Sequence, residues 1–408
     1  MYEFHPYFTN DGSVGLYSSC ANDIYHSATG ALTEAYEKFV YPVNFEKLLT
    51  KDKIKILDIC YGIGYNTKSV LNFILQNFIL QNNYAPIYTD NVNRVKYNAA
   101  TDTDNIFSKI SITTVDNDKI LYFLSPFIKT GNKNIKNQKI DFDYEKIYKF
   151  LQQDQKVKKL KINKIVNFAI LEKIIEKSPE IFETEQFSKI LYNKSYTDFF
   201  SSDIKALFKF YQSERLNNTS NLYKPLNLHN IYYKYISNRY KKQLKTYKLQ
   251  DFNFEYKNMD ARKMILKDSN LYNLIFLDAF TPTKSPCLWS VEFFKQLFAH
   301  LQDDGVLLTY STSAAVRGAM IEAGFCIGNI YNERLEKFTG TIASKNSNTI
   351  KYQLSEFDFG LLKTKAGIPY RDKNLNAENE AIITARNFEV KNSDKISSSM
   401  YIKNSKTL

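Results

Sequence analysis

The sequence predicts an α/β fold, a mostly parallel sheet interrupted by a largely helical insert. Three observations predict it. First, apolar runs that end at or next to an acid recur: KIKILDI (53–59), KISITTVD (109–116) and YNLIFLD (272–278). Runs of this length and character are buried strands delivering a carboxylate to one edge of a sheet. Second, stretches at helical spacing alternate with strands, as in WSVEFFKQLFAHL (289–301), GVLLTYS (305–311) and SAAVRGAMIEAGF (313–325). Such alternation is the mark of a sheet covered by helices. Third, the alternation fades between 121 and 250, a length too great for a plain loop.

Taken in order, residues 1–50 form a short lead-in segment. TNDGS (9–13) is a turn before a short strand, and GALTEAYEKFVYPV (30–43) is helical up to Pro42. Residues 51–120 hold the first part of the sheet: a strand over about 54–59, a glycine turn, a helix from about Asn66, and the strand ending at Asp116. Residues 121–250 are the insert, rich in lysine and tyrosine; in KVKKLKINK (156–164) five of nine residues are lysine. Residues 251–390 complete the sheet with FNFEYKNMD (252–260), YNLIFLD and GVLLTYS. The polar stretch 391–408 reads as a flexible tail.

Composition narrows the function. The 408 residues carry a formal charge of +12, which favours a polyanion and places nucleic acid ahead of an acidic membrane. No stretch reaches the length of a transmembrane helix, and the start of the chain has no apolar run like a signal peptide. Cys20, Cys60, Cys287 and Cys326 are scattered without a CxxC pair, so a reducing, cytoplasmic setting is expected, with no disulfide framework. The histidines at 5, 26, 229 and 300 lack ligand spacing, and no metal is expected. The oligomeric state stays open, with a monomer favoured.

The turn DICYGIG (58–64) offers Asp58 at a strand end and Gly62 and Gly64, where backbone without Cβ can approach a ligand closely. It lacks the full GxGxxG of a dinucleotide site and the lysine of a phosphate loop. Acids at several strand ends suit S-adenosylmethionine, which has no phosphates but needs acceptors for its amino group, ribose and adenine amine. Asp116 or Asp90 serves the ribose; Asp116 follows the better strand and is preferred. Asp260 belongs at the adenine end, with an N-cap as its bland alternative.

Four blocks then resemble one family in the same order: DGSVGLYSSCANDIYHSATGALTEA (11–35), LDAFTPTKSPCLW (277–289), GVLLTYSTSAAVRGAMIEAGF (305–325) and KAGIPYRD (365–372). They resemble the methyltransferase domain (MnmC-like) of the bacterial enzymes that complete 5-methylaminomethyl-2-thiouridine at the wobble position of tRNA. The resemblance covers about 1–120 and 250–372 and leaves the insert without an assigned role. It implies a class I, Rossmann-like S-adenosylmethionine-dependent methyltransferase fold and a primary amine on the anticodon loop as acceptor. It also implies a stand-alone form without the flavin domain of many relatives. It implies that residues 1–50 cover the substrate and cofactor, which adds Tyr25 and His26 to the candidate cofactor contacts Asp58, Gly62, Gly64, Asp116, Asp260 and Ala261. Asp278 is the implied catalytic residue, and Tyr25, Phe280 and Lys284 are the implied substrate contacts. The basic, aromatic stretch 227–248 adds Arg239, Lys241 and Lys242 as candidates for the tRNA anticodon stem-loop, against the reading of a solvated helix face. Two departures stand out: Cys60 occupies a position where many methyltransferases have glycine, and FTGTIASKN (338–346) replaces a more basic stretch. The alternatives are methylation of another amine and a non-catalytic RNA-binding protein.

Overall fold

The computed structural model describes residues 4–19, 21–80, 106–130, 138, 140, 142–151, 160–178, 190, 194–202 and 238–405. Ten strands lie among them: β1 (Phe4–Phe8), β2 (Val14–Ser18), β3 (Asp23–Ile24), β4 (Ile54–Ile59), β5 (Ile110–Asp116), β6 (Asn253–Asn258), β7 (Tyr272–Leu277), β8 (Leu301–Thr309), β9 (Cys326–Asn332) and β10 (Lys337–Ser344). The chain divides into two units. The first comprises Met1–Tyr36, Gly62–Ile110 and Asp118–Phe254, the second Glu37–Tyr61, Ser111–Asn117 and Glu255–Leu408.

The second unit is organised by a seven-stranded sheet in the order β6-β5-β4-β7-β8-β10-β9. β4 runs parallel to β7 and β7 to β8, whereas β10 is antiparallel to both β8 and β9. All six residues of β7 are buried, as a strand covered on both faces requires. Leu57, Ile275 and Leu307 pack with Phe294 and Leu297 of the helix Val291–Ala299 and with Val316 and Met320 of the helix Ala314–Glu322. A Cβ on Gly318 would lie 2.6 Å from the Gly367 carbonyl oxygen, so the glycine lets the KAGIP stretch lie against this helix. This is the mostly parallel α/β fold expected of class I S-adenosylmethionine-dependent methyltransferases.

The end of the chain departs from expectation. The stretch from Lys391, read as frayed, contains the helix Ser398–Ser405, and Asn379–Asn392 is a second helix before it. Tyr401 packs on Phe357 with ring centroids 5.5 Å apart, and the Lys365 N–H donates to the Ile396 carbonyl at 2.9 Å. Polar composition concealed these few tertiary anchors.

In the first unit, β1, β2 and β3 form an antiparallel sheet. Tyr7 and Ala28 pack with Ile147, and Tyr17 stacks on Phe142 at 5.1 Å. The buried Asp11 carboxylate organises the turn before β2. It accepts from the Ser13 N–H at 2.8 Å, the Thr33 N–H at 2.7 Å and the hydroxyls of Thr9 and Ser13. Within the insert, the helix Lys164–Lys177 places Phe168 on Tyr240 of the helix Asn238–Thr246, ring centroids 4.0 Å apart.

Among the described residues, no helix is long and apolar enough to cross a membrane. No group of three or more His, Cys, Asp or Glu side chains among them is placed to hold a metal ion.

Candidate cofactor cavity

The carboxyl ends of β4, β5 and β6 open onto a cavity of about 180 Å³ in the second unit. Its lining includes Cys60, Asp116, Met259, Asp260, Cys287 and Asn379. Cys60 follows β4 and takes a left-handed backbone, φ 64°. Its N–H donates to the Val115 carbonyl at 2.9 Å, tying the turn to the end of β5. A non-glycine residue rarely adopts this conformation, so it marks a local strain in the turn. Burial, reinforced by the carboxylates of Asp116 and Asp278, pushes the Cys60 thiol well above its usual value. The thiol is therefore a neutral wall.

Asp260 is the N-cap of the helix Ala261–Ile265, accepting from the Arg262 N–H at 2.8 Å. The bland reading of this residue is thus correct, and the carboxylate lines the cavity as well. Both of its oxygens are gripped by Arg262, with Nη2 2.7 Å from Oδ2 and Nε 3.2 Å from each oxygen. Arg262 Nη1 also donates to Asp372 Oδ2 at 2.7 Å and to the Ala377 carbonyl at 2.9 Å. Burial alone would depress the guanidinium. The bonds to Asp260 and Asp372 more than offset it, and its pKa lies above the ordinary arginine value.

Asp278 follows β7 directly, and its N–H donates to the Ile59 carbonyl at 3.3 Å. It lies at the strand end beside the cavity rather than among the lining residues. The loop after it is held by two side chains. The Trp289 indole N–H donates to the Phe280 carbonyl at 2.9 Å, and the Tyr310 hydroxyl to the Ala279 carbonyl at 3.0 Å. Trp289 is fully buried, so it braces this loop and packs in the core; no face is left for a base. Phe280 is half-buried, and Lys284 is exposed at the loop's tip.

The structure therefore brings Asp116, Asp260 and Ala261 together in one cavity and sets Asp278 at a neighbouring strand end. Asp58 is different: it lies within β4, opposite Phe276 of β7, and is fully buried away from the cavity lining. Asp90 falls outside the described residues, as does 227–237 of the basic stretch. Sequence reasoning missed Arg262, Asp372, Glu378 and Asn379. The first two were visible only as the last letters of NMDAR and KAGIPYRD, and nothing in the sequence pairs them.

The remaining candidates belong to the first unit. Gly62 and Gly64 have φ of 54° and 76°, and Gly64 caps the helix Tyr65–Ile74. The Ile63 carbonyl between them accepts from the buried Lys68 ammonium at 2.8 Å and the Ser125 hydroxyl at 2.9 Å. Lys68 also donates to the Ser125 carbonyl at 2.6 Å, while burial depresses its pKa strongly. Tyr25 is half-buried, with its ring 6.0 Å from Phe4. His26 is buried edge-on to Tyr65, ring centroids 5.0 Å apart, and Nε2 has no hydrogen-bond partner among the described residues. Burial lowers its pKa to about 4, helped by Lys68 and opposed by Glu34 and Asp11. It is a neutral imidazole at pH 7. Lys241 and Lys242 are exposed on the helix Asn238–Thr246, which also carries Arg239.

A family model described as S-adenosyl-L-methionine-dependent methyltransferase matches residues 226–345. An uncharacterized protein of Methanocaldococcus jannaschii is 32% identical over 157 residues, covering 36% of this chain and 44% of that protein. A protein of Burkholderia vietnamiensis named tRNA 5-methylaminomethyl-2-thiouridine biosynthesis bifunctional protein MnmC is 38% identical over 66 residues, 16% of this chain and 10% of that protein. The chain thus matches less than half the length of either relative. The crystal structure of MNMC2 from Aquifex aeolicus superposes with a TM-score of 0.54 at 19% identity, covering 96% of this chain and 87% of that one; this likeness is one of fold. The residues at the cavity suit the cofactor the family model names: carboxylates for its hydroxyl and amine groups, and an apolar wall of Met259 and Leu288 for a ring. The chain carries an S-adenosyl-L-methionine-dependent methyltransferase domain related to the MnmC proteins.

Proposed function

We propose that the protein methylates the primary amine of 5-aminomethyl-2-thiouridine at the tRNA wobble position, giving 5-methylaminomethyl-2-thiouridine. The observation that carries this reading is Asp278, a carboxylate at the end of a fully buried strand, beside a cavity lined by Asp116 and Asp260. Relatives named for this modification match part of the chain, which supports this choice of acceptor. When bound, S-adenosyl-L-methionine supplies an electrophilic methyl group. Asp116 would accept from the ribose hydroxyls, and Asp260, its charge shared with Arg262, would accept from the adenine amine.

Asp278 does the remaining work. An alkylamine is mostly protonated in neutral water, and a nearby carboxylate favours the ammonium form. Productive geometry nevertheless needs the nitrogen aligned at about 3–3.5 Å from the methyl carbon. Asp278 would orient the neutral amine through a hydrogen bond and take a proton from the methylated nitrogen, the N–C bond forming as the S–C bond of the sulfonium breaks to leave S-adenosyl-L-homocysteine. The bracing of residues 279–280 by Trp289 and Tyr310 keeps that carboxylate in place. Phe280 and Lys284, on the same loop, meet the uridine and its phosphate. Lys241, Lys242 and Arg239 draw in the anticodon stem-loop.

The test is transfer of labelled methyl from S-adenosyl-L-methionine to tRNA taken from cells lacking this gene, with nucleoside mass analysis. One methyl gained on 5-aminomethyl-2-thiouridine, and lost with Asp278→Ala, supports the proposal. Transfer to another nucleoside or to a small amine refutes the acceptor, and no cofactor binding by the folded protein refutes the activity.

A further inference from the structure

The C-terminal stretch 372–379 reaches the cofactor cavity, and no role in the reaction has been given to it. Ala377, Glu378 and Asn379 line the cavity together with Asp116 and Asp260. The stretch is shaped from behind by Asp372, whose side chain is wholly buried. Asp372 Oδ1 accepts from the N–H groups of Asn376 and Ala377, each at 3.1 Å, and Oδ2 accepts from Arg262 at 2.7 Å. The Asp372 N–H donates to Glu292 Oε2 at 2.7 Å. At the other end, Asn379 Oδ1 accepts from the Cys287 N–H at 3.4 Å, and Nδ2 donates to the Lys284 carbonyl at 3.2 Å.

A buried ion pair is weak evidence for stability, because apolar residues of the same volume often serve as well. The Arg262–Asp372 pair does something apolar residues cannot. It fixes a guanidinium whose other nitrogens hold both oxygens of Asp260, and it fixes the carbonyl of Ala377. One side chain thus holds a cavity carboxylate and a second part of the lining, at Ala377. Asn379 extends the same stretch to the loop that begins at Asp278.

Resting on the cofactor role proposed above for the cavity, we propose that residues 372–379 form a strap that shapes the S-adenosyl-L-methionine site. In it Asp372 is a positioning residue acting through Arg262 on Asp260, and Asn379 is a positioning residue acting on the 284–287 loop.

The test uses the full chain and S-adenosyl-L-homocysteine as probe, with titration calorimetry on the wild type, Asp372→Asn, Asn379→Ala and Asp358→Asn. The last breaks the Arg317–Asp358 pair (3.3 Å), which lies off the cavity lining, and controls for a general loss of stability. The expected result is a Kd raised at least about tenfold by Asp372→Asn, equivalent to about 1.4 kcal/mol. Asp358→Asn should leave the Kd unchanged. In turnover, Asp372→Asn should raise the KM for the donor and leave the KM for tRNA unchanged, a split that a merely structural role would not produce. Wild-type affinity in Asp372→Asn overturns the strap while leaving the function standing. Failure of the wild type to bind the probe overturns both. Should Asp372→Asn not fold, Asn379→Ala decides: unchanged probe affinity together with unchanged kcat overturns the strap.

Discussion

Each unit buries a carboxylate that organises a loop, and the two do so differently. Asp11 in the first unit is held by two backbone N–H groups and two hydroxyls from Thr9, Ser13 and Thr33, so its bonds stay within one turn and the helix beside it. Asp372 in the second unit also gathers two N–H groups, but its third bond goes to Arg262 and through it to a cavity carboxylate. Dipoles satisfy a charge locally; a guanidinium with several donors transmits position from one segment to another. The first arrangement fixes a fold, and the second fixes a site. If this contrast holds, substitutions around the second unit's cavity should cost function more than stability, and those in the first unit the reverse.

The largest effect tests the cavity side. Asp278→Ala should lower methyl transfer by about 10²- to 10⁴-fold, the range typical of a lost acid–base group, with little change in the unfolding midpoint. A comparable loss of stability would erase the contrast. Labelled transfer and urea unfolding on the same sample read both.

The next tests the first unit through pH. His26 has a folded-state pKa of about 4 against an ordinary 6.5, so the unfolded chain takes up the proton first as pH falls. The stability this group contributes is complete above pH 6.5 and is lost as pH drops from 6.5 towards 4, by about 3 kcal/mol. The stability difference between wild type and His26→Gln should therefore shrink by that amount between pH 7 and pH 4 in urea titrations. A constant difference would mean that the imidazole is not buried neutral.

Asp11→Ala should follow at about 2 kcal/mol of lost stability at pH 7, because the donors around it are left unpaired. Its cofactor affinity, measured below the unfolding transition, should stay within about twofold of wild type, under 1 kcal/mol. A tenfold weaker affinity would place Asp11 with the site rather than the fold.

The smallest effect concerns the exposed cations. The double variant Lys241→Ala, Lys242→Ala should weaken tRNA binding severalfold and reduce the slope of log K against log salt by about 1–2, with transfer to saturating tRNA unchanged. An unchanged slope would return these lysines to a solvated helix face.

Much of this was legible in the letters. Acids at or just past a strand end, Asp116 and Asp278, were legible because period, length and a terminal carboxylate are local features; Asp260 lies two residues past β6, as a helix N-cap. The phrase LDAFTPTKSPCLW places the one tryptophan of the sequence in the loop region after the acid. It did not give the indole bond to the Phe280 carbonyl, which explains why a tryptophan braces the loop after the acid. Asp58 read as one more strand-end ligand, yet it sits one pair short of the end of β4, with both neighbours buried. A shift of one residue in a strand exchanges faces, and composition cannot resolve that.

The sequence by itself determined the alternation of strands and helices, the acids at the carboxyl edge, the glycine turn and the resemblance to a methyltransferase family. These follow from short-range periodicity and from the conformations that single residues permit. Only the tertiary structure decided that Cys60 bends the turn with a left-handed backbone, that the C-terminal stretch is a helix-bearing wall, and that Arg262 joins Asp260 to Asp372. The physical reason is separation along the chain. Residues 262 and 372 meet through a buried guanidinium whose partners are chosen by the fold around it, and no local pattern records that meeting.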